Sequence, residues 1–169
     1  MKALLGLLAK LAFNVLNDAC PSSILRARLL GLFGAEIGKN VKVERILLMH
    51  FDGMNLRNLI LDDRVFVGPG TILDIKGKIH LRKSVKMGPG CNISTHVDAG
   101  KENPASQIYP AKIQDVEIGE GAWLGASVTI LCGVKIGANA IVGAGSLVNK
   151  SVPPGSVAYG VPVKVRRQG

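Results

Sequence analysis

The chain has 169 residues, a length that suits one domain with a substantial core. Glycine supplies 21 residues and aromatic residues only 4%, so aliphatic side chains must fill that core. The formal net charge of +9 indicates either a solvated basic surface or an anionic partner; no helix-turn-helix, zinc-finger or aromatic–basic pattern is present, so we predict no nucleic acid binding. The three cysteines lack paired spacing, which argues against a disulfide framework and favours a reducing, cytoplasmic location.

Residues 1–34 are predicted to form a helical segment of two short helices. Pro21 interrupts the first helical pattern, Ser22 or Ser23 is the predicted cap of the second helix, and Gly34 is its predicted end. The first helix is amphipathic because apolar residues recur along one face: Leu4, Leu5, Leu8, Leu11 and Val15.

The first helix is interpreted neither as a signal peptide nor as a transmembrane span, because Lys10 divides its apolar run. Helices this short need a surface to pack on. We favour the rest of the protein or a neighbouring subunit. The alternative is peripheral contact with a membrane, helped by Arg26 and Arg28.

From residue 35 the sequence repeats every six residues. Between residues 116 and 152 an aliphatic residue occupies every sixth position: Ile118, Leu124, Ile130, Ile136, Val142 and Val148. A small or branched residue precedes each by two positions: Val116, Ala122, Val128, Val134, Ala140 and Ser146. Earlier positions keep the phase except Asn55, and the last three are displaced by two residues: Ile37, Val43, Met49, Leu61, Val67, Leu73, Leu81, Met87 and Ile93.

A six-residue unit is one short strand and a turn, and three units close one coil. This period predicts an all-β solenoid over residues 35–152, with the periodic aliphatic side chains pointing inward. The period is lost once, in a polar insertion at residues 94–117 that begins close to His96. Solenoids place such insertions on a functional face. A basic tail, residues 153–169, completes the predicted organisation.

The repeats resemble those of a known family in four stretches: Trp123-Leu124-Gly125, Gly133-Val134-Lys135-Ile136-Gly137, Val142-Gly143-Ala144-Gly145-Ser146 and Gly160-Val161-Pro162-Val163-Lys164. They are similar to the hexapeptide-repeat acyltransferases, above all the exopolysaccharide-type and galactoside or maltose O-acetyltransferases. The resemblance implies a left-handed parallel β-helix, a homotrimer, acetyl-CoA as cosubstrate and no metal. It also implies a sugar or related small molecule as acceptor, acylated on a hydroxyl or an amine.

The same resemblance assigns the site residues. His96, at the start of the insertion, matches the catalytic base, which works by direct transfer at a subunit interface. Contacts to coenzyme A carry over to Gly125, Ala126, Ala144, Asn149, Lys150, Lys164 and Arg167. This chain departs from the family at Cys132, where Pro is common, and at Asn149, where Thr is common.

Two carboxylates lie near the predicted base in the sequence, Asp74 and Asp98. Each is predicted either to orient His96 or to bind the acceptor, and a solvated turn residue is the alternative for both. Trp123 either packs on the solenoid surface or stacks on adenine.

Three competing interpretations remain open from the sequence. Cys91 or Cys132 is a candidate nucleophile for an acyl-enzyme, although Cys91 occupies an inward position. A trimeric zinc enzyme of the carbonic-anhydrase kind would use His50, His80 and His96, but the chain lacks a close histidine pair within one coil. A non-catalytic scaffold on the same fold is the third.

Overall fold

The computed structural model describes the backbone of residues 2–51 and 55–167 and the side chains of residues 11–51 and 55–166. Helix α1 spans Lys2–Ala19 and helix α2 spans Ser23–Leu32. As predicted, Ser22 caps α2 by accepting a hydrogen bond from the Leu25 N–H at 3.5 Å. Gly34 follows that helix with a φ of 97°. The side chains of Leu4, Leu5 and Leu8 lie outside the described residues.

Three short strands make up each of five successive coils. Coil 1 contains β1 Glu36–Ile37, β2 Lys42–Val43 and β3 Leu47–Met49; coil 2 contains β4 Leu59–Leu61, β5 Phe66–Val67 and β6 Ile72–Asp74. Coil 3 contains β7 Ile79–Leu81, β8 Lys86–Met87 and β9 Asn92–Ile93. The insertion follows, with β10 His96–Val97, helix α3 Ala105–Ile108 and β11 Lys112–Ile113.

Coil 4 contains β12 Val116–Ile118, β13 Trp123–Leu124 and β14 Thr129–Ile130; coil 5 contains β15 Lys135–Ile136, β16 Ile141–Val142 and β17 Leu147–Val148. The last strands are β18 Val157–Tyr159 and β19 Lys164–Arg167. The pairs β10–β11 and β18–β19 are antiparallel, whereas each coil pairs with the next in parallel.

The strands form three sheets that the chain visits in turn. Sheet A is β1-β4-β7-β12-β15, sheet C is β3-β6-β9-β14-β17, and sheet B runs from β2 through β5, β8, β13, β16 and β18 to β19. The chain therefore turns three corners per coil, named here A–B, B–C and C–A. The connections at the C–A corner differ most in length: residues 50–58, 75–78, 94–115, 131–134 and 149–151.

The core fills the space between the three sheets. All six periodic aliphatic residues from Ile118 to Val148 are buried, and so are the six small residues two positions before them. Inward side chains stack on their counterparts one coil away: Leu61 pairs in register with Leu81, which pairs with Ile118. The predicted aliphatic layers are confirmed, and the strands that enclose them lie in parallel sheets. Each layer removes apolar surface from water.

One predicted inward position is wrong. Met49 is 41% exposed, and Leu48 takes the buried place, paired with Leu73 of the next coil. The chain reaches Leu48 only five residues after Val43, so one residue is missing from this turn. Since side chains alternate between the two faces of a strand, this shift turns Met49 outward.

The N-terminal helices cover the first coil. Phe13 of α1 is buried and meets the Phe33 ring edge-to-face at 5.1 Å. Arg26 is also buried, and its guanidinium donates hydrogen bonds to the backbone oxygens of Asn17, Val43 and Cys20. The expectation that Arg26 helps membrane contact is therefore wrong, because its charge is held inside. No helix in the described part of the chain is long and apolar enough to cross a bilayer.

Candidate active site

The site lies at the C–A corner of coils 1 to 3. His96 is the first residue of β10, within the connection that follows β9, and its Nδ1 lies 2.5 Å from Oδ2 of Asp74. Asp74 ends β6, one coil below. Its carboxylate is buried, while the His96 side chain keeps 16% of its surface exposed. The arrangement is a buried carboxylate holding a partly accessible imidazole.

Backbone groups fix the Asp74 carboxylate in place. Oδ2 accepts a hydrogen bond from the Thr95 N–H at 3.0 Å, and Oδ1 accepts one from the Lys76 N–H at 3.3 Å. The Thr95 hydroxyl donates to the Asp74 backbone oxygen and accepts from the Gly77 N–H. Burial raises the pKa of Asp74, but the hydrogen bonds from His96, Thr95 and Lys76 outweigh it, so the net pKa is lowered. The carboxylate is therefore ionised at neutral pH.

A second histidine shares this carboxylate. His50 follows β3 with a φ of 58°, and its Nδ1 lies 2.9 Å from Oδ1 of Asp74. The His50 and His96 rings meet edge-to-face with centroids 4.4 Å apart. An ionised carboxylate only accepts, so each Nδ1 must donate to it. In its neutral form each ring then carries its lone pair on Nε2, the atom available to take a proton.

Sequence reasoning missed His50. The sequence indicates His50 only as a candidate zinc ligand. The signal that could have found it is spacing: His50, Asp74 and His96 are 24 and 22 residues apart, close to one coil each. Residues one coil apart stack at the same corner of a solenoid.

Asp98 does not reach His96 in this structure. Its Oδ1 accepts a hydrogen bond from the Gly100 N–H at 2.8 Å, and its Oδ2 lies 4.0 Å from Lys76 Nζ. This is the geometry of a turn residue with a weak exposed ion pair. Of the two carboxylates, only Asp74 is placed to orient the imidazole. With both Asp74 oxygens occupied by donors, the contacts do not favour Asp74 as an acceptor-binding residue.

The residues assigned to coenzyme A fall on two corners and on the last strand. Gly125, Ala126 and Ala144 lie along the B–C corner, where a Cβ on Gly125 would stand 2.6 Å from the Ala144 backbone nitrogen. Asn149 and Lys150 follow β17 and lie at the C–A corner, two coils above His96. Sheet C, with strands and turns spanning about 15 Å, separates the two corners of one chain. No single chain gathers all these residues around one point.

The remaining assigned residues lie on β19, at the edge of sheet B. Lys164 is exposed and pairs in register with Tyr159. The guanidinium of Arg166 lies over the Tyr159 ring, 5.0 Å from its centroid. The backbone of Arg167 belongs to the same strand, but its side chain lies outside the described residues.

The cysteines give no support to an acyl-enzyme. Cys91 is buried in the core, and its thiol donates to the backbone oxygens of Gly88 and Gly125. Burial raises the pKa of Cys91, which lowers the thiolate fraction that a nucleophile needs. Cys132 lies at the C–A corner, 3.9 Å from the Gln114 side-chain oxygen.

The three histidines do not form one ligand set within the chain. His80 lies on the outer face of sheet A, where its Nε2 contacts Asp62 Oδ1 at 3.0 Å. His50, Asp74 and His96 offer ligand atoms within 4.8 Å of one another, a spacing compatible with a metal ion. The expectation that no close histidine pair exists holds within one coil, but stacking brings His50 and His96 together from coils 1 and 3.

Comparison with known proteins identifies the repeats. The family described as "Bacterial transferase hexapeptide (six repeats)" matches residues 115–150. The putative colanic acid biosynthesis acetyltransferase WcaF of Escherichia coli (strain K12) is 34% identical over 143 residues, 85% of this chain and 74% of its own length. A galactoside O-acetyltransferase of Lactococcus lactis subsp. lactis (strain IL1403) is 32% identical over 147 residues, 79% of this chain; the alignment spans 63% of that relative.

A solved structure of a galactoside acetyltransferase in complex with coenzyme A shares the fold. It superposes with a TM-score of 0.75 at 26% identity, over 98% of this chain and 80% of that one. The likeness therefore extends from the N-terminal helices to the last strands.

Proposed function

The chain belongs to the hexapeptide-repeat acetyltransferase family, and on that premise we propose that it transfers an acetyl group from acetyl-CoA to a hydroxyl of a sugar. The observation that carries the proposal is the His96–Asp74 pair at the opening of the inserted loop. A sugar acceptor is supported by the relatives, whose names state galactoside and colanic acid as their substrates or pathways. Acetyl-CoA is supported by the related structure that holds coenzyme A.

In the proposed mechanism His96 is the general base. Its Nε2 takes the proton of the acceptor hydroxyl while the hydroxyl oxygen forms a bond to the thioester carbonyl carbon. The resulting tetrahedral intermediate breaks its carbon–sulfur bond, and the departing sulfur receives the proton from the His96 imidazolium. Asp74 holds the ring through Nδ1 and stabilises the imidazolium that forms between these steps.

We place this reaction between two subunits of a trimer of left-handed β-helices. Direct transfer needs the acceptor oxygen, His96 and the thioester within a few ångströms of one another. One chain holds the B–C corner and His96 on opposite sides of sheet C, so a neighbouring copy must supply one of them. The outer face of sheet C suits such an interface, because its side chains are uncharged: Leu47, Ile72, Asn92, Thr129 and Leu147.

The test is a thiol-release assay with acetyl-CoA against a panel of sugars. His96→Ala should lower turnover by about a hundredfold or more, the usual cost of losing a general base. His80→Ala is the matched control, because His80 also contacts a carboxylate but lies on sheet A. Near-normal turnover in His96→Ala, or an equal loss in His80→Ala, would remove His96 from the role of base.

A second candidate, a metal-dependent enzyme, is supported by the spacing of His50, Asp74 and His96. Against this candidate, both Asp74 oxygens already accept hydrogen bonds from backbone N–H groups and an imidazole, and a metal ion would have to displace these donors. Metal analysis of the purified protein, with activity measured before and after chelation, separates the two. Stoichiometric zinc whose removal abolishes activity would favour the second candidate.

A further inference from the structure

A groove of about 730 Å³ opens on the outer face of sheet B. Its floor is a row of side chains in register on successive strands: Lys42 beside Phe66, Phe66 beside Lys86, and Lys86 beside Trp123. Cations and aromatic rings therefore alternate across four coils. The A–B corner adds Arg64 to the lining.

The cations of this groove are uncompensated. No carboxylate lines the groove, and in the described part of the chain none contacts Lys42, Arg64 or Lys86. Arg64 donates only to the Ser84 hydroxyl, at 3.1 Å. Sheet A differs, since there Arg82 pairs with Glu117 and His80 pairs with Asp62. A cluster of like charges without partners repels itself and favours an anionic ligand.

The position of the groove relates it to the reaction. It reaches Gly88 and Trp123, which adjoin the B–C corner where Gly125 and Ala126 lie. In its own chain, sheet B lies opposite the C–A corner that carries His96. An acceptor bound in the groove of one chain can therefore react only with the help of His96 from a neighbouring chain. This step rests on the acetyl transfer proposed above.

We propose that this groove seats the acceptor, and that the acceptor is a sugar carrying a phosphate or diphosphate group. Trp123 and Phe66 offer apolar surface for a pyranose ring, and the three cations offer charge for the phosphate. The Cα atoms of Lys42 and Lys86 lie two strand spacings apart, roughly 10 Å, so both long side chains reach one phosphate group between them. The three cations carry more charge than the single carboxylate of a uronic acid can balance, so a phosphorylated sugar is favoured over a uronic acid.

The experiment uses the fluorescence of Trp123, the only tryptophan of the chain, as a reporter inside the groove. The full-length protein is titrated with hexose 1-phosphates of gluco, galacto and manno configuration. Glucose and glucuronate are the neutral and singly charged comparisons. We expect saturable changes with at least one hexose 1-phosphate, and at least tenfold weaker binding of both comparisons.

Single substitutions test whether the hexose 1-phosphate binds in the groove. Lys42→Gln and Lys86→Gln should each weaken hexose 1-phosphate binding at least fivefold, whereas Lys135→Gln, an exposed lysine of sheet A, should not. Acetyl-CoA affinity, measured by calorimetry on the same variants, should be unchanged. Unchanged hexose 1-phosphate binding in the two groove variants would overturn the proposal. So would a loss of acetyl-CoA affinity instead, or glucuronate binding as tightly as the phosphate.

Failure of the acetyl transfer itself gives a different result. If the protein binds a hexose 1-phosphate in the groove but releases no thiol from acetyl-CoA with any sugar, the proposed function falls. If acetyl groups pass equally well to neutral sugars and the lysine variants keep full activity, only the groove assignment falls.

Discussion

At the scale of single residues, one carboxylate organises the site. Asp74 accepts from two imidazoles and from two backbone N–H groups, so its charge is shared among four donors. His96 is more enclosed than His50, with 16% against 40% of its side chain exposed. The more enclosed ring has less freedom to turn, which suits an imidazole that must present Nε2 to the acceptor.

Replacing Asp74 by Asn tests this organisation. In the Asn variant an NH2 group replaces one of the two carboxylate oxygens, and each of those oxygens accepts from one imidazole. Since an NH2 group cannot accept, one imidazole loses its acceptor and its fixed tautomer. We expect turnover in the acetyl-CoA assay to fall by about a hundredfold or more, because the imidazole loses its fixed tautomer and the stabilisation of its imidazolium. Asp98→Asn is the control, since the Asp98 carboxylate is bound to the Gly100 N–H and the Lys76 ammonium and not to His96. Equal effects of the two substitutions would contradict the role given to Asp74.

The lowered pKa of Asp74 also predicts how stability depends on pH. A carboxyl whose pKa is lower in the folded than in the unfolded protein stabilises the fold above its ordinary pKa of 3.8. That contribution is lost as the pH falls through the lower, folded value. The difference in free energy of unfolding between the wild type and Asp74→Asn should therefore be larger at pH 6 than at pH 3. Urea unfolding at both pH values measures it, and a difference that grows towards pH 3 would contradict the predicted direction.

At the scale of elements, the repeat predicted the strands well because every coil imposes the same demand on its inward positions. The sequence could not show where a coil is one residue short, as between Val43 and Leu48. It also concealed the approach of His50 to His96, because that contact is made by stacking across three coils. The period specifies which side chains point inward, whereas the irregular C–A corners, which hold the site, depend on connections of unequal length.

The register of coil 1 is testable by a pair of neighbouring substitutions. Leu48→Ala removes a buried side chain and should lower the free energy of unfolding by about 2–4 kcal/mol. Met49→Ala removes an exposed side chain and should cost less than about 1 kcal/mol. Denaturant unfolding of both variants gives the comparison. The sequence period alone predicts the larger loss of stability for Met49→Ala, so the measurement distinguishes the two registers.

At the scale of the whole molecule, a solenoid distributes its functional residues over an outer surface. The core of the described chain is a stack of buried aliphatic layers. The base lies at one corner, the proposed contacts to acetyl-CoA are divided between two corners and the last strand, and the basic groove covers the sheet opposite the base. Assembly is the means by which such separated surfaces come to face each other.

This division predicts that two inactive variants restore each other. His96→Ala removes the base, and Ala144→Glu places a bulky negative charge on the B–C corner, where acetyl-CoA is proposed to bind. In trimers assembled at random from equal amounts of both chains, a site regains activity when it takes His96 from one chain and the intact corner from its neighbour. Every trimer that contains both chains has one such site among its three, so about a third of the wild-type turnover should return in those trimers.

The two chains are coexpressed with different tags, and the trimers that carry both tags are isolated for the thiol-release assay. Each variant assembled alone is the background measurement. If each active site lay within one chain, every chain of a mixed trimer would still lack either its base or its corner, and turnover would stay at that background. Restored turnover therefore requires that the acetyl group pass across a subunit boundary, because no other arrangement puts an intact base beside an intact corner.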